Sequence, residues 1–260
     1  MNTFQAKELA VEISEWLKNY TLSNGAQSLV IGPSGGVDSA LCSTLCAMTG
    51  LPTWCVILPC HSKEEDTIRG NNHVNWLEKK YNNINRVVID LSRTFDTFKS
   101  SLPEEYFNNL GFANTKSRLR MVTFYQIATV VKGLVVGTGN KVEDFGIGFF
   151  TKYGDGGVDI SPIGDLYKSE VREMARALEI LPELTEAIPT DGLWDDYRTD
   201  ESQIGATYKE LEWAMDYLSE KTNLDVLLTE RQLKILEVYN GWHVKTAHKM
   251  QPIPIFRRNK

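Results

Sequence analysis

The chain has no apolar run near the ~18–20 residues that a membrane-spanning helix needs, so no membrane partner is expected. Positive charge is in deficit: 28 Lys and Arg face 34 Asp and Glu, for a net charge of −6. That balance does not suit a broad phosphate-backbone surface, and no nucleic-acid partner is expected. Cysteine is sparse as well. Cys42, Cys46, Cys55 and Cys60 include no C-x-x-C pair, which argues against zinc and leaves buried free thiols in a reducing compartment. No repeat, low-complexity tract or long linker divides the sequence, and residues 1–8 carry no apolar signal core. The expectation is a cytoplasmic protein with a single domain over residues 1–260.

What is present alternates. Ala6, Leu9, Ala10, Ile13, Trp16 and Leu17 recur with helical period. Short apolar runs at 29–31, 54–58, 86–89 and 134–137 read as strands. Helical patterns lie between them: one with Val37, Leu41, Leu45 and Met48 on one face, one from His73 to Tyr81, and one capped by Asn114 with Leu119, Val122, Ile127 and Val130 on one side. Strands alternating with helices predict an α/β fold with a parallel sheet flanked by helices on both faces. From Thr207 onward the pattern is helical, and Thr207 with Glu210, then Thr229 with Gln232, fit capping boxes.

Between the first strand and the next helix stands Ser34-Gly35-Gly36-Val37-Asp38-Ser39. Paired glycines let a backbone approach a ligand closely, and the helix that starts here points unpaired N–H groups and a positive dipole end at it. Two serine hydroxyls add donors. Asp38 would repel a bare polyanion, so it makes sense beside a hard cation such as Mg²⁺. A plain βα turn with an acid in the first helical turn is the competing reading. No Walker lysine closes the loop; the loop resembles instead the SGGxDS signature of the ATP pyrophosphatases. In open parallel sheets ligands sit at the carboxyl ends of strands, where this loop, the segment at Pro59 and the pair Gly137 and Thr138 all fall.

Downstream, Gly137, Thr138 and Glu143 share one segment, and residues 148–159 read GFFTKYGDGGVD. The second stretch is too rich in glycine for an ordinary helix or strand. These segments, with Asn114, Lys116, Arg118, Arg120 and Met121, then Leu166 and Lys168, Pro189 and Thr190, and His248 and Lys249, resemble the NAD synthetases over most of the chain. The resemblance implies an ammonia-dependent enzyme that amidates nicotinic acid adenine dinucleotide (deamido-NAD) to NAD⁺ at the expense of ATP. It further implies the adenine nucleotide alpha-hydrolase-like fold with a helical C-terminal region, and a homodimer with sites at the interface. It also implies that Asp38 and Glu143 bind Mg²⁺. On the same resemblance, Gly32, Pro33, Ser34, Gly35, Gly36, Val37, Asp38, Ser39, Thr138, Lys168 and Thr190 would contact ATP, and Arg118, Lys152, Asp159, His248 and Lys249 would hold deamido-NAD. Asp38, Lys168 and Asp159 are then the catalytic candidates, and no glutaminase domain is expected beside this fold.

Each of these residues also has a plainer role. Glu143 stands three residues after Asn140, the spacing of a capping box. If Asp165 caps a helix, Lys168 falls in its first turn, where a cation opposes the dipole and a bound polyphosphate would explain it. On helical spacing Lys116 and Arg120 share a side and Arg118 points away. Asp155 and Asp159 suit glycine-rich turns. The segment 57–63 departs from the family pattern, so its nucleotide contacts are not carried over. Two other classes stay open: another ATP-pyrophosphatase amidoligase, resembling the ATPase of GMP synthetase, and a non-catalytic nucleotide sensor.

Overall fold

The computed structural model describes residues 2–189, 198–219 and 227–258. After α1 (Thr3–Ser23) the chain enters β1 (Ser28–Ile31), then runs through α2 (Val37–Met48), β2 (Thr53–Ile57), α3 (Glu64–Lys80) and β3 (Ile84–Val88). It continues through α4 (Ser92–Ser100), α5 (Asn109–Val131) and β4 (Gly133–Val135), and a π-helical turn follows at Lys141–Ile147. Among the described residues five helices follow: α6 (Lys168–Ala177), α7 (Pro182–Thr185), α8 (Asp200–Ile204), α9 (Tyr208–Ser219) and α10 (Glu230–Met250). Among the described residues no helix is long and apolar enough to cross a membrane.

The four strands form one parallel sheet in the order β3-β2-β1-β4. Side chains alternate across it as pleating requires. Leu29, Ile31, Cys55 and Ile57 face a core shared with α1, α2 and α6, while Val30 and Val56 face a second core under α4 and α5. A third core joins the π turn to α9 and α10. From β1 the chain moves to β2 and β3 on one side and then crosses to β4 on the other. The direction of winding therefore reverses between β1 and β4, and the crevice beyond their carboxyl ends is where such sheets take ligands.

Several sequence expectations shift, each for a local reason. The helix α2 is not merely amphipathic: every residue from Val37 to Ala47 except Asp38 is buried, because the sheet, α1, α3 and α6 all pack around it. The helix α3 starts at Glu64, with Glu64, Glu65 and Asp66 in its first turn and Lys79 and Lys80 in its last, as the dipole favours. For α5 the N-cap is Asn108, whose side chain accepts from Gly111 N–H, and not Asn114, which lies inside the helix and accepts from the Thr151 hydroxyl. Its inward face is Ala113, Lys116, Ser117, Met121 and Ala128, so Val122 and Val130 are left exposed. All four cysteines are free and buried, as expected.

Candidate active site

The loop 34–39 is built to leave donors open. Gly36 is the N-cap of α2 and offers no side chain to the first helical N–H groups. Ser39 braces the turn from within: its hydroxyl donates to the Gly36 carbonyl at 3.0 Å and accepts from Ser34 N–H at 3.0 Å. Gly35 has φ +91°, and a Cβ there would lie 2.5 Å from the Asp66 carbonyl oxygen. Only glycine meets both conditions without strain. The helix α3 clamps the loop from outside. A Cβ on Gly70 would meet the Pro33 carbonyl at 2.9 Å, and Arg69, ion-paired with Asp66, donates its Nε–H to the Gly35 carbonyl at 3.2 Å. Nothing in the sequence marks Arg69, because its partner lies 34 residues away.

Three charged side chains from separate segments converge beside this loop. The Lys168 ammonium is ion-paired with Asp38 Oδ2, and its Nζ lies 3.1 Å from Glu143 Oε1. Lys168 is 4% exposed at its side chain, against 17% for Asp38 and 16% for Glu143. Burial by itself would lower the Lys168 pKa, but the two carboxylates outweigh it and hold the ammonium above the usual lysine range. Burial raises the Asp38 carboxyl, while Lys168 works in the opposite direction. Asn140 donates to Asp38 Oδ1 at 3.3 Å, and its own oxygen caps the π turn by accepting from Val142 and Glu143 N–H. Asn140 thus fills the cap that the spacing suggested. Glu143 does not reach back to it, and its side chain turns to Lys168 and to the Tyr208 hydroxyl.

Lys168 is the first residue of α6, whose N-cap is Tyr167 and not Asp165; the Tyr167 N–H is taken by Glu170 at 2.9 Å. Asp165 is ion-paired with Lys141 instead. A cation at the first helical position opposes the dipole, and here Asp38 and Glu143 offset it. Tyr208, at the start of α9, is the residue that sequence reading missed. Its ring lies 4.8 Å from Lys168 Nζ, and its hydroxyl donates to Glu143 and lies 3.4 Å from Asp200 Oδ2. The sequence signal there is only a tyrosine behind the Thr207 cap.

The remaining site candidates form a second group around the glycine-rich block. Arg118 donates Nε–H to the Lys152 carbonyl at 3.2 Å, Lys152 donates to the His248 carbonyl at 2.9 Å, and Lys249 donates to the Phe150 carbonyl at 2.6 Å. Arg118 does face away from Lys116 and Arg120: Lys116 is buried near the Phe95 ring, and Arg120 bonds the Leu58 carbonyl and Ser62. Arg120 thus secures the divergent 57–63 segment from within the fold. The Asp159 carboxylate accepts from the Tyr125 hydroxyl at 2.9 Å and from Val135 N–H at 2.8 Å, which fastens it to the end of β4. Beside it, Arg118, Met121, Tyr125, Gln126, Tyr153 and Gly157 line an open hollow of about 820 Å³. Thr138 is half-buried beyond β4, and Thr190 lies outside the described residues.

Among the described residues no three His, Cys, Asp or Glu side chains gather as a metal cluster. The pair of Asp38 and Glu143 nevertheless suits Mg²⁺. Both are hard oxygen donors, both already face one cation, and Mg²⁺ is commonly held by one or two carboxylates with phosphate oxygens and water completing the shell.

Comparison with known proteins finds relatives along most of the chain. The family model for NAD synthase matches residues 9–253. The NH(3)-dependent NAD(+) synthetase of Carboxydothermus hydrogenoformans is 40% identical over 212 residues, covering 79% of this chain and 84% of that protein. The enzyme of the same name from Alkaliphilus oremlandii is 36% identical over 256 residues, covering 94% and 95%. Among solved structures, the NMN synthetase of Francisella tularensis superposes with a TM-score of 0.86 at 31% identity, covering 97% of this chain and 99% of that one. With a family model matched over most of its length and such relatives beside it, the chain belongs to the NAD synthase family.

Proposed function

We propose that this chain is an ATP-dependent, ammonia-using ligase that converts deamido-NAD to NAD⁺, releasing AMP and pyrophosphate. The observation that carries this reading is the convergence of Asp38, Glu143 and Lys168 beside the uncapped N-terminus of α2.

A carboxylate does not condense with ammonia unaided, because its oxygen leaves poorly. In the first step a nicotinate oxygen attacks the α-phosphorus of ATP, the α–β bridging bond breaks, and pyrophosphate departs. Ammonia then adds to the carbonyl carbon of the acyl-adenylate, AMP leaves with the former carboxylate oxygen, and a proton is lost. In this reading the residues from Gly32 to Ser39 hold the departing pyrophosphate with backbone N–H groups and the α2 dipole. Lys168 supplies the positive charge that a Walker loop carries in its own lysine. Asp38 and Glu143 hold Mg²⁺, which when bound neutralises phosphate charge and orients the leaving group. Thr138 and Thr190 complete the ATP contacts.

Arg118, Lys152, Asp159, His248 and Lys249 are proposed to hold the second substrate along the hollow beside β4. Asp159 is fastened by Tyr125 and Val135 N–H, which suits orienting a substrate better than accepting ammonia's proton. We read the chain as one catalytic domain, cytoplasmic, and a homodimer. The exposed apolar residues Val122, which lines the hollow, and Val130, both on α5, support the dimer. Purified protein with ATP, Mg²⁺, deamido-NAD and ammonium is expected to form NAD⁺ and AMP in equal amounts. ATP binding without NAD⁺ formation would sink the reading.

A second reading keeps the chemistry and shortens the substrate to nicotinic acid mononucleotide. The likeness to the NMN synthetase of F. tularensis favours it. The ratio of kcat/KM for the two acids decides between them.

A further inference from the structure

The ammonium of Lys168 and the carboxylates of Asp38 and Glu143 form a closed set: a single buried cation shared by two acids from different elements. Asn140 and Tyr208 each donate to one of the acids. The proposed function asks the same two carboxylates to hold a divalent cation. An ammonium and a divalent cation cannot both lie between them without strong repulsion at such short range.

We propose that Lys168 is the counter-ion of the Asp38 and Glu143 pair in the free protein, and that nucleotide and metal enter by exchange. The divalent cation takes the ammonium's place as the ammonium moves to a phosphate oxygen. Three features of the site make the exchange feasible. The lysine stem is long and unbranched, so its head can swing while its Cα stays in the first turn of α6. At that helix N-terminus a cation alone is disfavoured, whereas one paired with an arriving anion is not. The α2 N-terminus has Gly36 as its cap, with no side-chain hydrogen bond to its first N–H groups, in the same turn as Asp38, and it supplies the anion site toward which the ammonium moves.

The consequence is a coupling between two ligands. Metal alone must displace an ammonium that has nowhere to go, so it binds weakly. With nucleotide present the displaced ammonium gains a partner, and by linkage each ligand strengthens the other by the same factor. The two acids also keep a positive charge opposite them in both states, which spares the protein two unpaired, partly buried carboxylates.

This proposal rests on the metal reading above, and the test separates the two. Mn²⁺ serves as the probe, its protein-bound fraction followed by electron paramagnetic resonance on the full chain, with and without non-cleavable α,β-methylene-ATP. The wild-type protein is expected to bind Mn²⁺ at least tenfold more tightly when the nucleotide analogue is present. Lys168→Met and Lys168→Gln are expected to bind Mn²⁺ at least tenfold more tightly than wild type without nucleotide, and to lose most of the coupling. Their melting temperatures should rise more on Mn²⁺ addition than that of the wild type. Equal or weaker Mn²⁺ binding by both variants without nucleotide overturns the exchange. If neither variant folds, the wild type alone decides: Mn²⁺ affinity unchanged by the analogue also overturns it. Asp38→Asn is the control for the underlying reading. If it binds Mn²⁺ like wild type in the presence of the analogue, Asp38 is no metal ligand and the metal reading fails. If it loses Mn²⁺ while the lysine variants gain nothing, only the exchange fails.

Discussion

Replacing Tyr208 by Phe removes one hydroxyl and keeps the ring over Lys168. The tyrosine is 5% exposed, and its hydroxyl donates to Glu143 while lying 3.4 Å from Asp200 Oδ2. Burial, reinforced by the charges of Glu143 and Asp200, holds the phenol pKa far above the tyrosine range, so it stays a donor throughout the working pH range. A hydrogen bond to a charged group contributes about 1.5–3 kcal/mol. That amount is the expected loss of unfolding free energy in Tyr208→Phe, measured by urea denaturation. The kinetic consequence is the more telling one. Partners that orient a metal-binding side chain typically contribute roughly 10–100-fold to metal affinity. The Mg²⁺ concentration for half-maximal NAD⁺ formation should therefore rise roughly 10–100-fold, with a smaller change in kcat at saturating Mg²⁺. A lost packing contact would lower stability without moving the Mg²⁺ dependence. A folded variant whose half-saturating Mg²⁺ stays within about twofold of wild type refutes the role assigned to Tyr208.

Three further outcomes are expected. His73 is fully buried, its Nε2 lies 2.9 Å from the Ser43 hydroxyl, and burial lowers its pKa from 6.5 to about 4. The unfolded chain therefore takes up a proton that the folded chain refuses. The stability from this site is complete above pH 6.5 and falls by about 3 kcal/mol as pH drops toward 4. In His73→Gln, denaturation curves should show a shallower slope over that window; an unchanged slope rules the site out as the cause. Gly35→Ala forces an L-residue to φ +91° and places its Cβ 2.5 Å from the Asp66 carbonyl, so about 1–3 kcal/mol of stability should be lost, along with most ATP affinity by calorimetry. Wild-type ATP affinity in the variant would show that the loop tolerates a side chain. Asp38→Ala should lower kcat by at least roughly 10²–10³-fold, the usual cost of losing one strong electrostatic stabiliser, and near-normal turnover contradicts its role.

The parts of this molecule that are local in sequence were legible in it. The four strands, the glycine turn before α2 and the caps at Thr207 and Thr229 all follow from period, propensity and short-range hydrogen bonds. Family segments pointed to Asp38, Glu143 and Lys168 as site residues, though they are 25 to 130 residues apart. What escaped is what depends on packing. The α5 helix begins before Asn114 because Asn108 is free to cap while Asn114 is held by Thr151 across the fold. Val122 and Val130 look like core by period but face outward, whereas Leu119 and Ile127 of the same stripe pack under the sheet beside Met121, Phe124 and Ala128. Tyr208 and Arg69 carry no local signal, since each is defined by a partner on another element. Lys168 stood out as a cation at a helix start, and the charges that offset it became visible only in three dimensions.

The central claim is that ATP activates the nicotinate carboxylate at its α-phosphorus in this site. Deamido-NAD labelled with ¹⁸O in both carboxylate oxygens tests it directly, with AMP and pyrophosphate from a complete turnover examined by mass spectrometry. Transfer of the carboxylate oxygen to AMP should leave one ¹⁸O atom in AMP for each NAD⁺ formed, the other in the amide, and none in pyrophosphate. Label appearing in pyrophosphate or in inorganic phosphate, or unlabelled AMP alongside NAD⁺, would contradict it.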